Sequence, residues 1–547
     1  MRNLWTALCL VLVPAMAACN AHPLKAVELK TEQEDDDTVP LSVNRDVDIL
    51  FVIDNSRSMA QEQATLARNF GPLIERLTAV EANYRIAVTT TDAGHLHCSG
   101  NDGGNYKLRS CRRRAEDFRT TGGDDYFDEA CASVCAHEEI GILPTSTFQD
   151  PTPRERPWIE SINGVTNLAD EVDPVEAFQC FGPQGVTGCG FESPLEAMRL
   201  GLLQAGDERS EEYGFMRPGA ILAVVIVTDE ADCSARYGQV TDPWDVQDGS
   251  RALWSPTNAA EGRLTSEVCW FAGVQCEQSP DGTQECWAVD KAADGSEATN
   301  EAEAVLHPLD RYTELLTQLE ADKQKINPEQ ELLVAVLSGV PTTYDGGRIP
   351  YTQGVDEQFR LDHGIGAGCE SANGKAAPPV RLAELADAFR TEETDVNLYS
   401  VCKEDYSDAM SSIADAIGKQ VRPPCVKTCV ADTDPIAAGV QPECSLTEEY
   451  VALDGEIVRY PIPECEPTDD GYAVPEGVDA CYRPLTDRGQ ATAQLDDDMS
   501  EACVEEGWNL ELAIERRDGV IAPPGAQVQA RCSVSSLKER DCPGLTG

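Results

Sequence analysis

Val47-Asp48-Ile49-Leu50-Phe51-Val52-Ile53 runs directly into Asp54-Asn55-Ser56-Arg57-Ser58-Met59. The first stretch is β-branched and aromatic with a single charge, which suits a strand buried on both faces. The second is a polar turn. Beyond it, Gln61 to Val80 carries Leu66, Phe70, Leu73, Ile74 and Leu77 at helical spacing and predicts a helix. Strand, turn and helix make a β-α unit, and an open parallel sheet of such units binds its ligand at the carboxyl ends of the strands. Asp54, Ser56 and Ser58 place oxygen donors on one tight turn at that edge, the donor type that hard divalent cations take.

This strand followed by Asp-x-Ser-x-Ser resembles the first part of the metal-ion-dependent adhesion site of von Willebrand factor type A domains. A second stretch adds to the resemblance: Ala220 to Val227 is apolar and ends in Thr228-Asp229-Glu230, where that family has its distal metal-site aspartate. The resemblance implies an α/β fold with a doubly wound, mostly parallel sheet flanked by helices. It also implies Mg2+ or Ca2+ held by Asp54, Ser56, Ser58 and Asp229, with an oxygen of a partner completing the coordination. The family normally supplies a Thr from a loop preceding a helix; here Gly188 to Met198 takes that place and leaves Glu192 near the Thr position. Glu192 is therefore a candidate ligand, one that adds negative charge and makes the metal a poorer acceptor for an acidic partner. The alternative is that Glu192 caps the following helix.

Working outward, Tyr84 to Thr91, Glu331 to Ser338 and Val396 to Cys402 read as further strands, and Arg311 to Leu319, Leu382 to Phe389 and Tyr406 to Ile417 as helices. The expected type A domain spans residues 43–421. Two stretches, 92–191 and 232–306, are rich in Cys, Gly, Pro and acidic residues and read as disulfide-pinned insertions flanking the metal edge. Residues 422–547 change composition, with eight cysteines and short alternating runs at Asn509 to Ile514 and Ala526 to Cys532. They predict a small β-rich domain stapled by disulfides, its core filled by residues such as Tyr482 and Trp508.

Arg2, the apolar run Leu4 to Val13 and Pro14-Ala15-Met16-Ala17-Ala18-Cys19 form the pattern of a secretory signal over residues 1–18. Cys19 after two alanines resembles a bacterial lipobox, although Met16 stands where such boxes usually carry Leu. The likeness implies cleavage before Cys19 and its lipidation; a plain secreted protein cut after Ala18 is the alternative. Asn20 replaces the Asp that retains some bacterial lipoproteins at the inner membrane, which points to an outer-membrane anchor in the cell envelope. Residues 19–42, with Glu32, Glu34, Asp35, Asp36 and Asp37, read as an acidic tether.

The chain has 22 cysteines, and 20 lie beyond Cys9 and Cys19, an even number that fits disulfides in an exported protein. They fall into even groups, within which local pairing is expected. These are Cys98, Cys111, Cys131 and Cys135; Cys180 and Cys189; Cys233, Cys269, Cys276 and Cys286; Cys369 and Cys402; then Cys425, Cys429, Cys444, Cys465, Cys481, Cys503, Cys532 and Cys542. His95, His97 and Cys98 near Cys131, Cys135 and His137 offer a zinc alternative, against which stand the oxidising compartment and the irregular spacing.

Of 547 residues, 43 are Lys or Arg and 96 are Asp or Glu, a formal charge of −53 that repels phosphate backbones and excludes nucleic acid as an expected partner. Catalytic signatures are missing. His137-Glu138-Glu139-Ile140-Gly141 lacks the second His of a zinc-protease helix, and no Gly-x-Ser-x-Gly elbow occurs. The expected function is that of a lipid-anchored envelope protein, not an enzyme, binding a protein or glycan partner through its metal site. A hydrolase hidden in the insertions, an accessory subunit of an envelope enzyme and a structural protein with a stabilising metal are the alternatives.

Overall fold

The computed structural model describes residues 36–41, 45–80, 82–98, 102–236, 242–247, 249–279, 283–326, 330–372, 374–390, 396–421, 425–436, 440–451, 456–468, 471–486, 499–517, 520, 523 and 526–545. The signal and Cys19 lie outside them, as does most of the acidic tether.

β1 (Asp46–Ile53) is buried along nearly its whole length. It leads into α1 (Ala60–Arg68) and α2 (Gly71–Ala79), then β2 (Asn83–Thr90). The single helix expected over Gln61 to Val80 is thus two. Pro72 sits in the first turn of α2, where its missing N–H costs nothing, but it cannot continue a helix from upstream. The chain then makes a short hairpin of β3 (Ile159–Ile162) and β4 (Val165–Thr166) before α3 (Pro194–Ala205) and β5 (Ile221–Val227). α4 (Asp310–Gln324), β6 (Leu333–Ser338), α5 (Val380–Ala388), β7 (Leu398–Ser400) and α6 (Ser407–Gln420) complete the unit.

These strands form one seven-stranded sheet in the order β7-β6-β5-β1-β2-β3-β4. The five strands from β7 to β2 run parallel through four pairings, and β3 and β4 are antiparallel at one edge. The strand order reverses between β1 and β5, so the carboxyl ends of those two strands border the crevice where doubly wound sheets place ligands. Alternation along β1 feeds two cores. Val47, Ile49, Phe51 and Ile53 pack with α1, α2 and α6 on one face. Leu50 and Val52 pack with α3, α4 and α5 on the other.

Among the described residues, ten disulfides use all the cysteines from Cys98 to Cys542. Pairing within groups holds for Cys111–Cys131, Cys233–Cys269, Cys276–Cys286, Cys369–Cys402 and the eight C-terminal cysteines. It fails for Cys98–Cys189 and Cys135–Cys180, which join the first group to the second. The reason is topological. The first insertion leaves the sheet at the end of β2 and returns before α3, so its two ends meet at the sheet edge although they are far apart in sequence. All three thiols of the zinc alternative, Cys98, Cys131 and Cys135, are consumed in disulfides.

The C-terminal residues form three strands of a four-stranded antiparallel sheet and two separate two-stranded sheets, with a core of Val426, Val430, Leu446, Leu510, Leu512 and Ala530. Tyr482 is buried there and Trp508 half-buried. The four-stranded sheet gains an edge strand from far upstream. Asp36–Leu41, the end of the segment read as a tether, pairs antiparallel with Gln527–Ser533. No helix among the described residues is long and apolar enough to cross a membrane.

Candidate metal centre

Asp54 is the first residue beyond β1, and its amide donates to Val227 O at 2.9 Å, which locks the turn to the end of β5. Its side chain is fully buried. Oδ1 accepts from the Ser56 amide at 2.7 Å and Oδ2 from the Thr228 hydroxyl at 2.5 Å. The Ser56 and Ser58 hydroxyls lie 3.2 Å apart. Asp229 follows Thr228 on the neighbouring strand end and is buried close to Ser58. The four residues expected from the two motifs therefore converge on one edge.

Glu192 converges with them. It is buried, accepts a hydrogen bond from the Thr91 hydroxyl at the end of β2, and feels the charge of Asp54. Helix capping is not its role. The first amides of α3 are met by others, Leu195 N by Asp232 Oδ1 at 3.4 Å and Glu196 N by Ser234 Oγ at 3.0 Å. Sequence reasoning missed Thr91, Thr228, Glu62 and Glu230 as neighbours of the site. Thr228 and Glu230 flank the motif aspartate and were within its reach; Glu62 and Thr91 carry no sequence signal, since only the fold turns them inward.

Burial dominates the electrostatics. It pushes the Asp54 carboxyl up to about 6 against the hydrogen bonds from Thr228 and Ser56, with the Glu230 charge adding to the rise. Burial and then the charge of Asp54 hold Glu192 and Asp229 well above the usual carboxylate range. Glu62, in the first turn of α1, is pushed up to about 8 by burial and further by the charges of Asp54 and Glu129. Glu192 Oε1, Asp229 Oδ1 and Glu62 Oε2 have no hydrogen-bond partner, and buried polar atoms in that state call for a ligand or a proton.

The opposite edge of the sheet is built differently. There Arg217 meets Asp48 at 2.8 Å and Arg85 meets Glu160 at 2.6 Å, all four side chains nearly inaccessible. At the carboxyl edge no Lys or Arg among the described residues pairs with Asp54, Asp229 or Glu192. Mutually repelling carboxylates with unfilled oxygens and hydroxyl neighbours form a hard-oxygen donor set, so the residues present fit a divalent cation. The described His/Cys groupings, His95 with Cys98 and Cys189 and the trio Cys111, Cys131 and Cys135, have their thiols in disulfides and do not point to Mg2+ or Ca2+. Above the serine turn lies an open depression of about 550 Å³ whose walls include Ser56, Ser58, Gln61, Tyr126, Glu129 and Glu230.

The fold and edge thus define a mixed α/β protein, built on a largely parallel sheet and rich in disulfides, with a buried acidic centre at its topological switch point. No protein-family model and no curated protein matches the chain. Among solved structures it is similar to the pilus adhesin SpaC of Lactobacillus rhamnosus GG in an open conformation, at 8% identity and a TM-score of 0.29, over 90% of this chain and 40% of that one. It is also similar to the pilus adhesin RrgA of Streptococcus pneumoniae, at 10% identity and a TM-score of 0.21, over 91% of this chain and 58% of that one. The chain therefore spans less than two thirds of either adhesin. Likenesses this loose carry no argument about fold or function, for which the topology and the site stand alone.

Proposed function

We propose that this chain is a cell-envelope binding protein of the von Willebrand factor A type, in which a divalent cation at the carboxyl edge joins it to a partner. Asp54, Ser56, Ser58 and Asp229 would hold Mg2+ or Ca2+, with Glu192 as a further anionic donor. The cation would supply a Lewis-acidic point to which a partner oxygen binds. The chain's own residues prepare that point: Thr228 fixes one Asp54 oxygen, Thr91 orients Glu192, and the Cys98–Cys189 bond ties the Glu192 loop to the end of β2. The role is binding, not catalysis, and a lipid on Cys19 would hold the protein at the outer membrane.

The observation that carries this reading is the contrast between the two sheet edges. Asp48 and Glu160 at the amino edge each have a guanidinium, whereas among the described residues Asp54, Asp229 and Glu192 at the carboxyl edge have none, and Asp229 and Glu192 each keep an open oxygen. A buried charge left uncompensated costs several kcal/mol, and a divalent cation removes that cost. Calorimetric titration with Mg2+ and Ca2+ tests the proposal. Asp54→Ala and Asp229→Ala should each weaken metal binding by at least roughly tenfold, the lower bound for even an outer-shell partner of a metal ligand. Ser56→Ala and Ser58→Ala should lose less. Undiminished affinity in Asp54→Ala would remove the metal site.

A further inference from the structure

The walls of the depression above the serine turn say what kind of partner reaches the cation. Their charges are already spent on one another. Arg57 donates to Asp124 at 2.7 Å, Gln61 to Glu129 at 2.6 Å, and Glu230 lies 2.9 Å from His363 Nδ1. A basic peptide would have to displace these partners to find a carboxylate. An acidic ligand fares worse. With Asp54, Asp229 and Glu192 ionised around a divalent ion the centre is formally −1, and a partner carboxylate would take it to −2 inside a chain whose net charge is −53. What remains is neutral oxygen. Beyond its bond to Glu129, Gln61 keeps its amide oxygen and a second N–H, and Tyr126, which accepts from Arg57 Nε at 3.2 Å, keeps its O–H to donate, the complement of a ligand made of hydroxyls. Its frame is pinned on both sides by Cys98–Cys189 and Cys111–Cys131, so the surface is preformed, and binding there spends little on ordering loops.

We propose that the occupant of this depression is a neutral saccharide whose hydroxyls complete the coordination of the cation and hydrogen-bond to Gln61 and Tyr126. The inference rests on the metal reading above and narrows its partner to one chemical class.

A printed panel of neutral glycans, their sialylated and uronic-acid counterparts, and an oligolysine peptide separates the choices, probed with the whole mature protein in Mg2+, in Ca2+ and in chelator. Binding to neutral glycans that chelator abolishes is the expected result. Gln61→Ala and Tyr126→Phe should each weaken it roughly three- to tenfold, as expected for loss of one neutral hydrogen bond, while calorimetric metal affinity stays at the wild-type value. Metal-dependent capture of only the acidic glycans, or of the oligolysine, overturns the inference. Normal metal affinity with no glycan bound overturns it too and leaves the metal site standing. Absence of metal binding in calorimetry overturns both.

Discussion

Glu192 sets the charge of the centre. Two like charges about 5 Å apart repel by roughly 3 kcal/mol at an effective dielectric near 20, so a third carboxylate beside Asp54 and Asp229 favours a cation and disfavours an anionic ligand. Glu192→Thr removes that charge and puts a neutral hydroxyl in its place. Calcium affinity should fall by roughly tenfold, and binding of an acidic probe such as a glutamate-rich peptide should hold or improve. Identical calcium affinity in calorimetry would make Glu192 a bystander. Glu62 adds a pH dependence of opposite sign to that of an ordinary paired carboxylate. In the metal-free fold it keeps its proton up to about 8, whereas the unfolded chain releases it near 4.5. Between those values the folded state binds more protons, so stability falls as pH rises through the window. Differential scanning in chelator should give a lower melting temperature at pH 8 than at pH 5. Glu62→Gln should shrink the difference, and an unchanged difference in that variant would assign the effect to other groups.

The elements around the serine turn are packed closely enough for one methyl group to matter. A Cβ on Gly188 would lie 2.4 Å from the Asn55 side chain, and the Gly188 amide donates to Asn55 O at 2.9 Å. Gly188→Ala must therefore displace the buried Asn55 side chain in the serine turn, at an overpacking cost of about 1–3 kcal/mol. Both melting temperature and metal affinity should drop. Gly190→Ala, with nothing within 4 Å of the added carbon, should change neither. Equal behaviour of the two variants would show that the Gly188 loop yields freely. The same elements show what the sequence made legible. β1, β2, β5 and β6 are apolar runs buried on both faces, and their period and length identified them together with the Asp54 turn. The β3–β4 hairpin went unread inside an insertion, although Asn163-Gly164 marks it. Both residues have positive φ, 50° and 75°, as a two-residue hairpin turn requires. The partners of Cys98 and Cys135 could not be read, because pairing depends on where the sheet returns the chain and not on spacing. Glu62 was invisible for a related reason: one glutamate in the first turn of a helix looks solvated until the fold covers it.

At the scale of the whole molecule, stability has two sources that reduction can separate. The central sheet is sandwiched between helices, and its two large apolar clusters are built mostly of aliphatic and aromatic side chains, with Cys111–Cys131, Cys135–Cys180 and Cys369–Cys402 as a minor part of one of them. The C-terminal sheets share a much smaller core and rely on Cys425–Cys503, Cys429–Cys542, Cys444–Cys532 and Cys465–Cys481, which close loops of 78, 113, 88 and 16 residues. A cross-link over such loops stabilises by roughly 3–5 kcal/mol in the chain-entropy model, comparable with the total stability of a small domain. Thiol reductant at neutral pH should therefore melt the C-terminal unit first. Hydrogen exchange read by mass spectrometry should show Glu511–Arg516 and Gln527–Ser533 losing protection while Asp46–Ile53 and Ile221–Val227 keep theirs. Asp36–Leu41 provides the sharpest check. It precedes the central domain in sequence but pairs with Gln527–Ser533, so it should exchange together with the C-terminal strands and not with β1 a few residues downstream. Protection of Asp36–Leu41 that outlasts that of Gln527–Ser533 would contradict this division of the molecule.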